Sequence, residues 1–312
     1  MNAYLVAILA ILFGRYLLEL IADVLNVHHL SETVLPEFEH HYDTAKYAQS
    51  QRYLRDNTRF GIAVDTVETL ATVVFVLVGG FNVVDRIARS FGLGTILTGV
   101  VFAGILMAAS GLLNLPFSVY DTFVLEEKYG FNRTTPRTFA LDIVKTLLLA
   151  VVIGAPVFSL ILWFFEKAGD FAWIYCWGAT VFLQLILLFL APYVIMPLFN
   201  KFIPLDEGVL RTAVERYAKS QSFKMKGVFK MDGSKRSSKT NAFFTGFGGS
   251  RRIVLFDTLI ARHTVEELVA IIDDIVENAE DDFSIDELKA AFDIVVAREK
   301  KRRRTPYASI SH

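Results

Sequence analysis

Residues 173–199 read WIYCWGATVFLQLILLFLAPYVIMPLF and contain no Asp, Glu, Lys or Arg. A helix needs about 20 mostly apolar residues to cross the hydrocarbon core of a bilayer, so this stretch is long enough to span a membrane. Four more stretches have the same character, at residues 3–25, 60–84, 95–114 and 139–165. The first lacks a small-residue cleavage site, which favours a retained helix over a signal peptide. The sequence therefore predicts five membrane-spanning helices.

The charged residues are concentrated after the last of these stretches. Of the 312 residues, 53% are hydrophobic and 21% are charged, yet residues 201–312 hold 37 of the 65 charged side chains. This distribution predicts a membrane domain over residues 1–200 followed by a water-exposed region. A net charge of −1 argues against a nucleic-acid-binding protein, and a single cysteine argues against a disulfide scaffold. The lone Cys176 lies inside the fifth stretch, which favours a packing role.

The Lys and Arg residues between the predicted spans indicate the orientation. Segments 26–59 and 115–138 together carry seven of them, whereas segments 85–94 and 166–172 on the opposite side carry three. Positively charged loops remain on the cytoplasmic side, so we expect the region after the fifth span to be cytoplasmic. The bacterial inner membrane and the endoplasmic reticulum fit this expectation equally well.

Six ionisable residues fall inside the predicted spans: Arg15, Glu19, Asp65, Glu68, Asp142 and Lys145. The first and last pairs are spaced to neutralise themselves on one helix face, whereas Asp65 and Glu68 need partners from elsewhere. Two interpretations remain open: the charged groups lie near helix ends and extend to water, or they mark a transport path. Their positions away from the span centres favour the first interpretation.

Local signals in the remaining sequence predict an α+β region after the spans. Helical periodicity covers residues 206–221, and residues 227–232, 241–247 and 252–256 are typical of short strands. Thr264 followed by Glu267 predicts a capping box at the start of a further helix. Before this region, Gly130 predicts a helix end, Pro136 a helix start, and two prolines at 192 and 197 a kink.

Several motifs, in order along residues 1–272, resemble the type I CAAX prenyl proteases. They are Leu35–Phe60, TFVLEEKYGFNRTT at 122–135, MPLFNKFIPL at 196–205, KTNAFFTGFG at 239–248, RIVLFDTL at 252–259 and TVEELVA at 264–270. The resemblance implies a multi-span zinc endopeptidase whose helices enclose an intramembrane chamber. It also implies a substrate with a C-terminal prenylated cysteine, cut just after that cysteine. The expected fold is thus a mainly α integral membrane protein with a partial α+β zinc-peptidase-like domain over residues 201–272.

The resemblance further implies a substrate-binding strand at Asn241, Ala242, Phe243 and Phe244, which would pair with an extended peptide through its backbone. From the residues alone, the same stretch is a core strand with two packed aromatic rings. The expected partners are membrane lipid and a prenylated or otherwise lipidated peptide, with no nucleic acid.

The catalytic motif of such proteases is absent from the expected position. Zinc binding there needs His-Glu-x-x-His on a helix, with both histidines on one face and the glutamate activating water. The corresponding residues are Asp274, Ile275 and Asn278, and no two histidines of the chain are four residues apart. Asparagine is a poor zinc ligand and isoleucine carries no proton. We therefore expect no zinc, no catalytic residues and no metal ligands in this chain, although the family uses zinc.

Residues 273–312 resemble nothing in that family and carry 17 charged side chains, including a basic run from Arg298 to Arg304. Three hypotheses follow. The chain is either a truncated or frame-altered, inactive member of the family, or a non-catalytic membrane adaptor that binds lipidated peptides. A transporter using Asp65 and Glu68 is the third alternative. Metal analysis of the purified protein separates an active enzyme from all three.

Overall fold

The computed structural model describes residues 3–34, 43–221, 223, 225–246 and 251–281, without the side chains of residues 170 and 274–281. The chain divides into two compact units, which are described separately. Unit 1 comprises Met1–Leu185 and Lys235–Ser238, and unit 2 comprises Ile186–Ser234 and Lys239–His312. The adjacent histidines 40 and 41 and the tail after residue 281 lie outside the described residues.

Unit 1 is built from helices. In chain order they are α1 (Ala3–His29), α2 (Thr44–Leu77), α3 (Gly80–Ser90), α4 (Thr95–Tyr120), α5 (Glu126–Lys128), α6 (Pro136–Leu149), α7 (Ala155–Lys167) and α8 (Ala172–Leu190), the last of which ends in unit 2. Two π-helical turns, Asp121–Leu125 and Ala150–Gly154, join α4 to α5 and α6 to α7 into longer rods.

Five helical segments are long and apolar enough to cross a membrane, as the sequence predicts. They are Ala3–His29, Thr44–Leu77, Thr95–Lys128, Pro136–Lys167 and Ala172–Phe199. Their apolar side chains are largely exposed, which suits contact with lipid tails rather than with water.

The second predicted span needs a correction. The sequence places it at 60–84, with a separate polar segment before it, but α2 runs without interruption from Thr44 to Leu77. Asp43 caps this helix by accepting hydrogen bonds from the backbone N–H groups of Ala45 and Lys46 at 3.0 and 3.2 Å. Gly79 then adopts a left-handed φ of 74°, so the chain turns and a new helix begins at Gly80. The polar residues before position 60 indicate where the span leaves the hydrocarbon, but the helix continues through them.

The predicted breaks around the third and fourth spans are confirmed. Gly130 has a φ of 71°, a conformation that favours glycine, and it follows the last turn of α5. The next helix begins at Pro136, where Thr135 accepts a hydrogen bond from the backbone N–H of Thr138 at 3.2 Å. Proline at the first helical position fits because its missing N–H has no partner there in any case.

Polar contacts tie distant segments of unit 1 together. The guanidinium of Arg236 donates from Nε and Nη2 to the two carboxylate oxygens of Asp142, at 2.8 and 2.9 Å. Ser238 donates from its hydroxyl to the carbonyl of Gly130 at 2.8 Å, and Arg133 donates its N–H to the carbonyl of Arg236 at 3.0 Å. Residues 235–238 thus belong to unit 1, although strands of unit 2 precede and follow them in the sequence.

Unit 2 contains a four-stranded sheet with helices. Its elements are α9 (Met196–Phe199), β1 (Phe202–Pro204), α10 (Val209–Ser220), β2 (Gly227–Met231), β3 (Ala242–Thr245), β4 (Arg252–Phe256), α11 (Asp257–Ile260) and α12 (Val265–Asp281). The strand order is β1-β2-β4-β3, with β2 and β4 parallel and the two outer pairs antiparallel. The three predicted strands and both predicted helices are confirmed, whereas β1 was not predicted.

The hydrophobic core of unit 2 lies between this sheet and the helices α10 and α12. Ile253 and Leu255 of the central strand β4 are fully buried, as is Val214 of α10. From α12, Leu268 and Ile272 reach the same core. Their spacing of four residues places them on one helix face, which fixes α12 against the sheet.

Candidate functional site

The predicted substrate-binding strand lies at one edge of the sheet of unit 2. β3 pairs with β4 on one side, in the register Ala242–Leu255, Phe243–Val254, Phe244–Ile253 and Thr245–Arg252. On its other side, no further strand pairs with it among the described residues. An outer edge of this kind presents backbone N–H and C=O groups to whatever lies beside it.

The hydrogen-bond phase of β3 determines which backbone groups point outward. The N–H of Phe256 donates to the carbonyl of Asn241 at 3.0 Å, so residues 241 and 256 form a hydrogen-bonded pair. Such pairs alternate along an antiparallel ladder, so the backbone of Phe243 also points toward β4. Ala242 and Phe244 therefore direct their N–H and C=O groups to the open edge. The side-chain oxygen of Asn241 accepts from the N–H of Ala242 at 2.9 Å and occupies that donor.

The two phenylalanines of β3 lie on opposite faces of the sheet, as neighbouring residues of a strand must. The ring of Phe244 packs on the core side, 6.4 Å from the ring of Phe223. The ring of Phe243 lies 6.2 Å from that of Phe256. The ring of Phe244 thus packs against the core, but β3 lies at an edge of the sheet and its four residues are only half-buried, so the interpretation as a core strand holds for one of the two rings.

The entry to β3 is held by a carboxylate that the sequence did not single out. Asp257 accepts hydrogen bonds from the backbone N–H groups of Ser234 and Thr258, at 2.9 and 2.8 Å, and from the Ser234 hydroxyl. Burial by itself raises the pKa of Asp257, but these hydrogen bonds outweigh it and hold the pKa below its ordinary value. Thr258 in turn donates its hydroxyl to the carbonyl of Lys239 at 2.8 Å. The signal that could have identified Asp257 from the sequence is its position directly after the predicted strand 252–256.

Helix α12 packs beside β3 and begins with the predicted capping box. Glu267 accepts from the backbone N–H of Thr264 at 2.9 Å, and the Thr264 hydroxyl accepts from the N–H of Glu267 at 3.3 Å. The first of these bonds contributes most to lowering the pKa of Glu267. Further along, the Tyr217 hydroxyl donates to the carboxylate of Asp273. The first turn and the middle of α12 are thus anchored.

The helix that a zinc motif requires is present, but the donor set is not. α12 is helical through Asp281, so positions 274 and 278 lie about one turn apart. They hold aspartate and asparagine, with isoleucine where a general base belongs. This set does not fit zinc, which selects imidazole, thiolate and carboxylate ligands. Among the side chains that the structure describes, no three His, Cys, Asp or Glu groups come together to form a metal site.

The charged residues predicted inside the spans form local clusters. Arg15 donates to Glu19 at 2.8 Å, as the spacing predicts, and Lys145 lies 3.6 Å from Asp142. Asp65 and Glu68 line a small cleft of about 160 Å³ together with Arg15 and Glu19. The cleft thus brings the like-charged pair beside Arg15 and Glu19 of the first span. Cys176 is half-buried and donates its thiol to the carbonyl of Ile161 at 3.6 Å, in agreement with a packing role.

Sequence families match nearly the whole described chain. The family described as "CAAX prenyl protease N-terminal, five membrane helices" matches residues 24–201, and "Peptidase family M48", a zinc metallopeptidase family, matches residues 204–273. The second match ends at the first residue of the stretch where the zinc motif is expected.

Curated relatives and a solved structure agree with these matches. "Probable CAAX prenyl protease 1" of Schizosaccharomyces pombe is 39% identical over 245 residues, covering 74% of this chain and 52% of the relative. "CAAX prenyl protease 1 homolog" of Oryza sativa subsp. japonica is 37% identical over 278 residues, covering 86% of this chain and 65% of the relative. The chain thus spans about half to two thirds of the length of these relatives. The crystal structure of S. mikatae Ste24p superposes with a TM-score of 0.83 at 32% identity, covering 96% of this chain and 71% of that one.

Proposed function

This chain is an integral membrane protein of the CAAX prenyl protease family, and from that membership we propose that it binds a lipidated peptide along β3 without cleaving it. The observation that carries the proposal is the combination of an open edge strand with the Asp, Ile and Asn residues of α12. The first supports recognition of an extended peptide, and the second supports the absence of cleavage, because isoleucine at position 275 carries no proton for general-base catalysis.

The peptide would add a fifth strand to the sheet. Ala242 and Phe244 supply the outward N–H and C=O groups, and the peptide would compete with the Asn241 side chain for the N–H of Ala242. The four residues from Asn241 to Phe244 are therefore the proposed binding residues. Because backbone pairing is sequence-tolerant, the lipid on the peptide would supply much of the selectivity.

Ala242→Pro tests the binding site because it removes the outward N–H at a strand position where proline is tolerated. We expect this variant to bind a fluorescent farnesylated peptide in detergent about tenfold more weakly than wild type. The matched control is Phe202→Pro in β1, at the opposite edge of the same sheet. There, Leu205 donates its N–H to Val228, so the alternating phase directs the N–H of Phe202 away from β2. Equal binding by wild type and Ala242→Pro would refute the proposed site.

The proposed absence of cleavage has its own test. The purified protein is analysed for bound metal and incubated with a farnesylated peptide, with the Schizosaccharomyces pombe relative as the positive control. We expect substoichiometric zinc and intact peptide with this chain. Stoichiometric zinc, together with cleavage that a chelator blocks, would show that this chain is an enzyme.

The orientation also remains a proposal, supported by the seven-to-three excess of Lys and Arg on one side of the spans. It places unit 2 on the cytoplasmic side of the membrane. That membrane would be the bacterial inner membrane or the endoplasmic reticulum. After Cys176→Ser, single cysteines introduced by Ser90→Cys and Gly208→Cys report the two sides, because both positions are exposed. In sealed vesicles of known sidedness, an impermeant maleimide should label only Gly208→Cys from the cytoplasmic side. Labelling of Ser90→Cys from that side would show that the orientation is the opposite of the proposed one.

A further inference from the structure

A cleft of about 540 Å³ opens in unit 2 where the end of the fifth span meets the sheet. Tyr193 and Pro197 line it from the last turns of the span, and Phe229 of β2 and Arg252 of β4 line it from the sheet. It lies apart from the outward backbone groups of β3, so the proposed peptide site does not account for it.

Arg252 is the unusual residue of this cleft. Its Nε is shielded from solvent and has no hydrogen-bond partner among the residues that the structure describes. No described carboxylate forms an ion pair with its guanidinium either. Shielded donors are nearly always paired, because leaving one unpaired forfeits its hydrogen bonds to water. A lined cleft beside an unpaired donor indicates a missing acceptor.

Aromatic rings hold the guanidinium in place. Its central carbon lies 4.0 Å from the ring centroid of Tyr193 and 4.8 Å from that of Phe229. Stacking of this kind restrains the orientation of the planar fork while leaving its N–H groups available along the edges. The guanidinium is therefore held in one orientation at the lining of the cleft.

Further positive charge surrounds the cleft. Lys201 lies in its lining, and the Nζ of Lys226 is 5.9 Å from the ring of Tyr193. The neighbouring acidic group, Asp232, already accepts the backbone N–H of Lys201 at 2.6 Å. Arg252 and Lys201 thus line a space that is large enough for a phosphate group, and Lys226 lies beside the ring of Tyr193, which lines the same space. Phosphate offers more oxygen acceptors than a carboxylate.

The cleft also lies at the level where phosphate groups are abundant. Tyr193 and Pro197 belong to the final turns of the span Ala172–Phe199, and the chain becomes polar from Asn200 onward. Tyrosine is enriched at this boundary between hydrocarbon and water, where lipid headgroups lie. Basic pockets beside membrane helices bind such headgroups. We propose that Arg252, with Lys201 and Lys226, binds the phosphate of an anionic phospholipid.

The test compares lipid retention by Arg252→Gln with that of a matched charge-removal control. Arg262→Gln removes one positive charge from an exposed position of the same unit. The full chain in detergent is titrated with short-chain phosphatidylglycerol, and bound lipid is counted by native mass spectrometry. We expect Arg252→Gln to weaken binding about tenfold and Arg262→Gln less than about twofold. Arg252→Lys keeps the charge but loses the fork, so we expect an intermediate loss.

Two further probes distinguish the source of the phosphate. Inorganic phosphate that competes with the lipid in wild type, but not in Arg252→Gln, would show that the phosphate group alone suffices. If inorganic phosphate does not compete with the lipid, the acyl chains are needed as well. Both results support the proposal. If Arg252→Gln is not monodisperse, Arg252→Lys and Tyr193→Leu replace it in the same titration. Wild-type affinity in those variants would overturn the proposal.

Two other outcomes would also overturn it. One is equal retention of diacylglycerol, which has no phosphate. The other is Arg252-dependent binding of a peptide with a free C-terminal carboxylate when no lipid binds. None of these measurements involves β3. A result that contradicts the lipid site therefore does not bear on the proposed peptide site.

Discussion

The two units use apolar side chains in opposite ways. In unit 1, large apolar residues such as Leu148 and Phe182 are exposed by 59% and 65%, whereas in unit 2 Ile253 and Leu255 are fully buried. A bilayer is as apolar as leucine, so burying such residues against other helices gains little there. Unit 1 nevertheless has polar contacts between distant segments, such as that between Asp142 and Arg236, whereas unit 2 has a buried apolar core. Four substitutions probe this contrast, from the largest expected effect to the smallest.

Leu268→Ala should have the largest effect, because it leaves a cavity in the core of unit 2. We expect a loss of about 3 kcal/mol in the free energy of unfolding of this unit. The control is Leu148→Ala, on the lipid-facing surface of α6, where we expect a loss below about 0.5 kcal/mol. Limited proteolysis and hydrogen exchange of the two variants in detergent measure the difference. Equal losses would mean that unit 1 also depends on apolar burial.

Asp142→Asn should have the next largest effect, because it removes the negative charge from a bidentate ion pair with the half-buried Arg236. We expect a loss of about 2 kcal/mol in unit 1. Arg137→Gln, at an exposed position on the same helix, is the control and should be near neutral. The midpoint of thermal unfolding in detergent reports the result. An unchanged midpoint in Asp142→Asn would show that polar contacts do not specify unit 1.

Asp257→Asn weakens the hydrogen bonds at the entry to β3 and should cost about 1.5 kcal/mol near neutral pH. The effect depends on pH because the pKa of Asp257 is lower in the folded state than its ordinary value. Its stabilisation is fully present above the ordinary value, about 3.9, and disappears as the pH falls through the folded-state pKa. Chemical unfolding of both proteins between pH 7 and pH 3 should therefore show a difference that is constant above pH 5 and shrinks below about pH 4. A difference that grows toward acid would contradict the assigned direction.

Thr264→Ala should have the smallest effect, a loss of about 1 kcal/mol, because it removes one half of an exposed capping box. Thr264→Ser keeps the hydroxyl and serves as the control. Hydrogen exchange at the first turn of α12 resolves the change better than global unfolding does. Faster exchange in the serine variant as well would mean that the threonine methyl group, not the hydroxyl, supports the helix.

Much of the local structure could be predicted from the sequence, because its causes are local. Apolar runs predicted the five membrane helices, and single residues predicted helix boundaries at Gly130, Pro136 and Thr264. The family resemblance was confirmed by the family matches to residues 24–201 and 204–273. The division at residues 200 and 272, the proposed binding residues and the absence of zinc stay predictions.

Contacts between distant residues could not be predicted in this way. Nothing in the local sequence shows that Asp142 pairs with Arg236, 94 residues away, or that β3 forms an edge of the sheet rather than its centre. The three-residue strand β1 is too short to carry a pattern, and it exists because β2 pairs with it. The unpaired donor of Arg252 is visible only once Tyr193 and Phe229 are packed around it.

The sequence by itself therefore determined which segments are apolar helices, where several of them begin and end, and that positions 274, 275 and 278 hold Asp, Ile and Asn. Hydropathy, backbone preferences and side-chain chemistry are properties of single residues and their near neighbours. Only the tertiary structure decided the open edge of β3, the attachment of residues 235–238 to unit 1 and the cleft around Arg252. Each of these depends on packing between segments that are far apart in the chain.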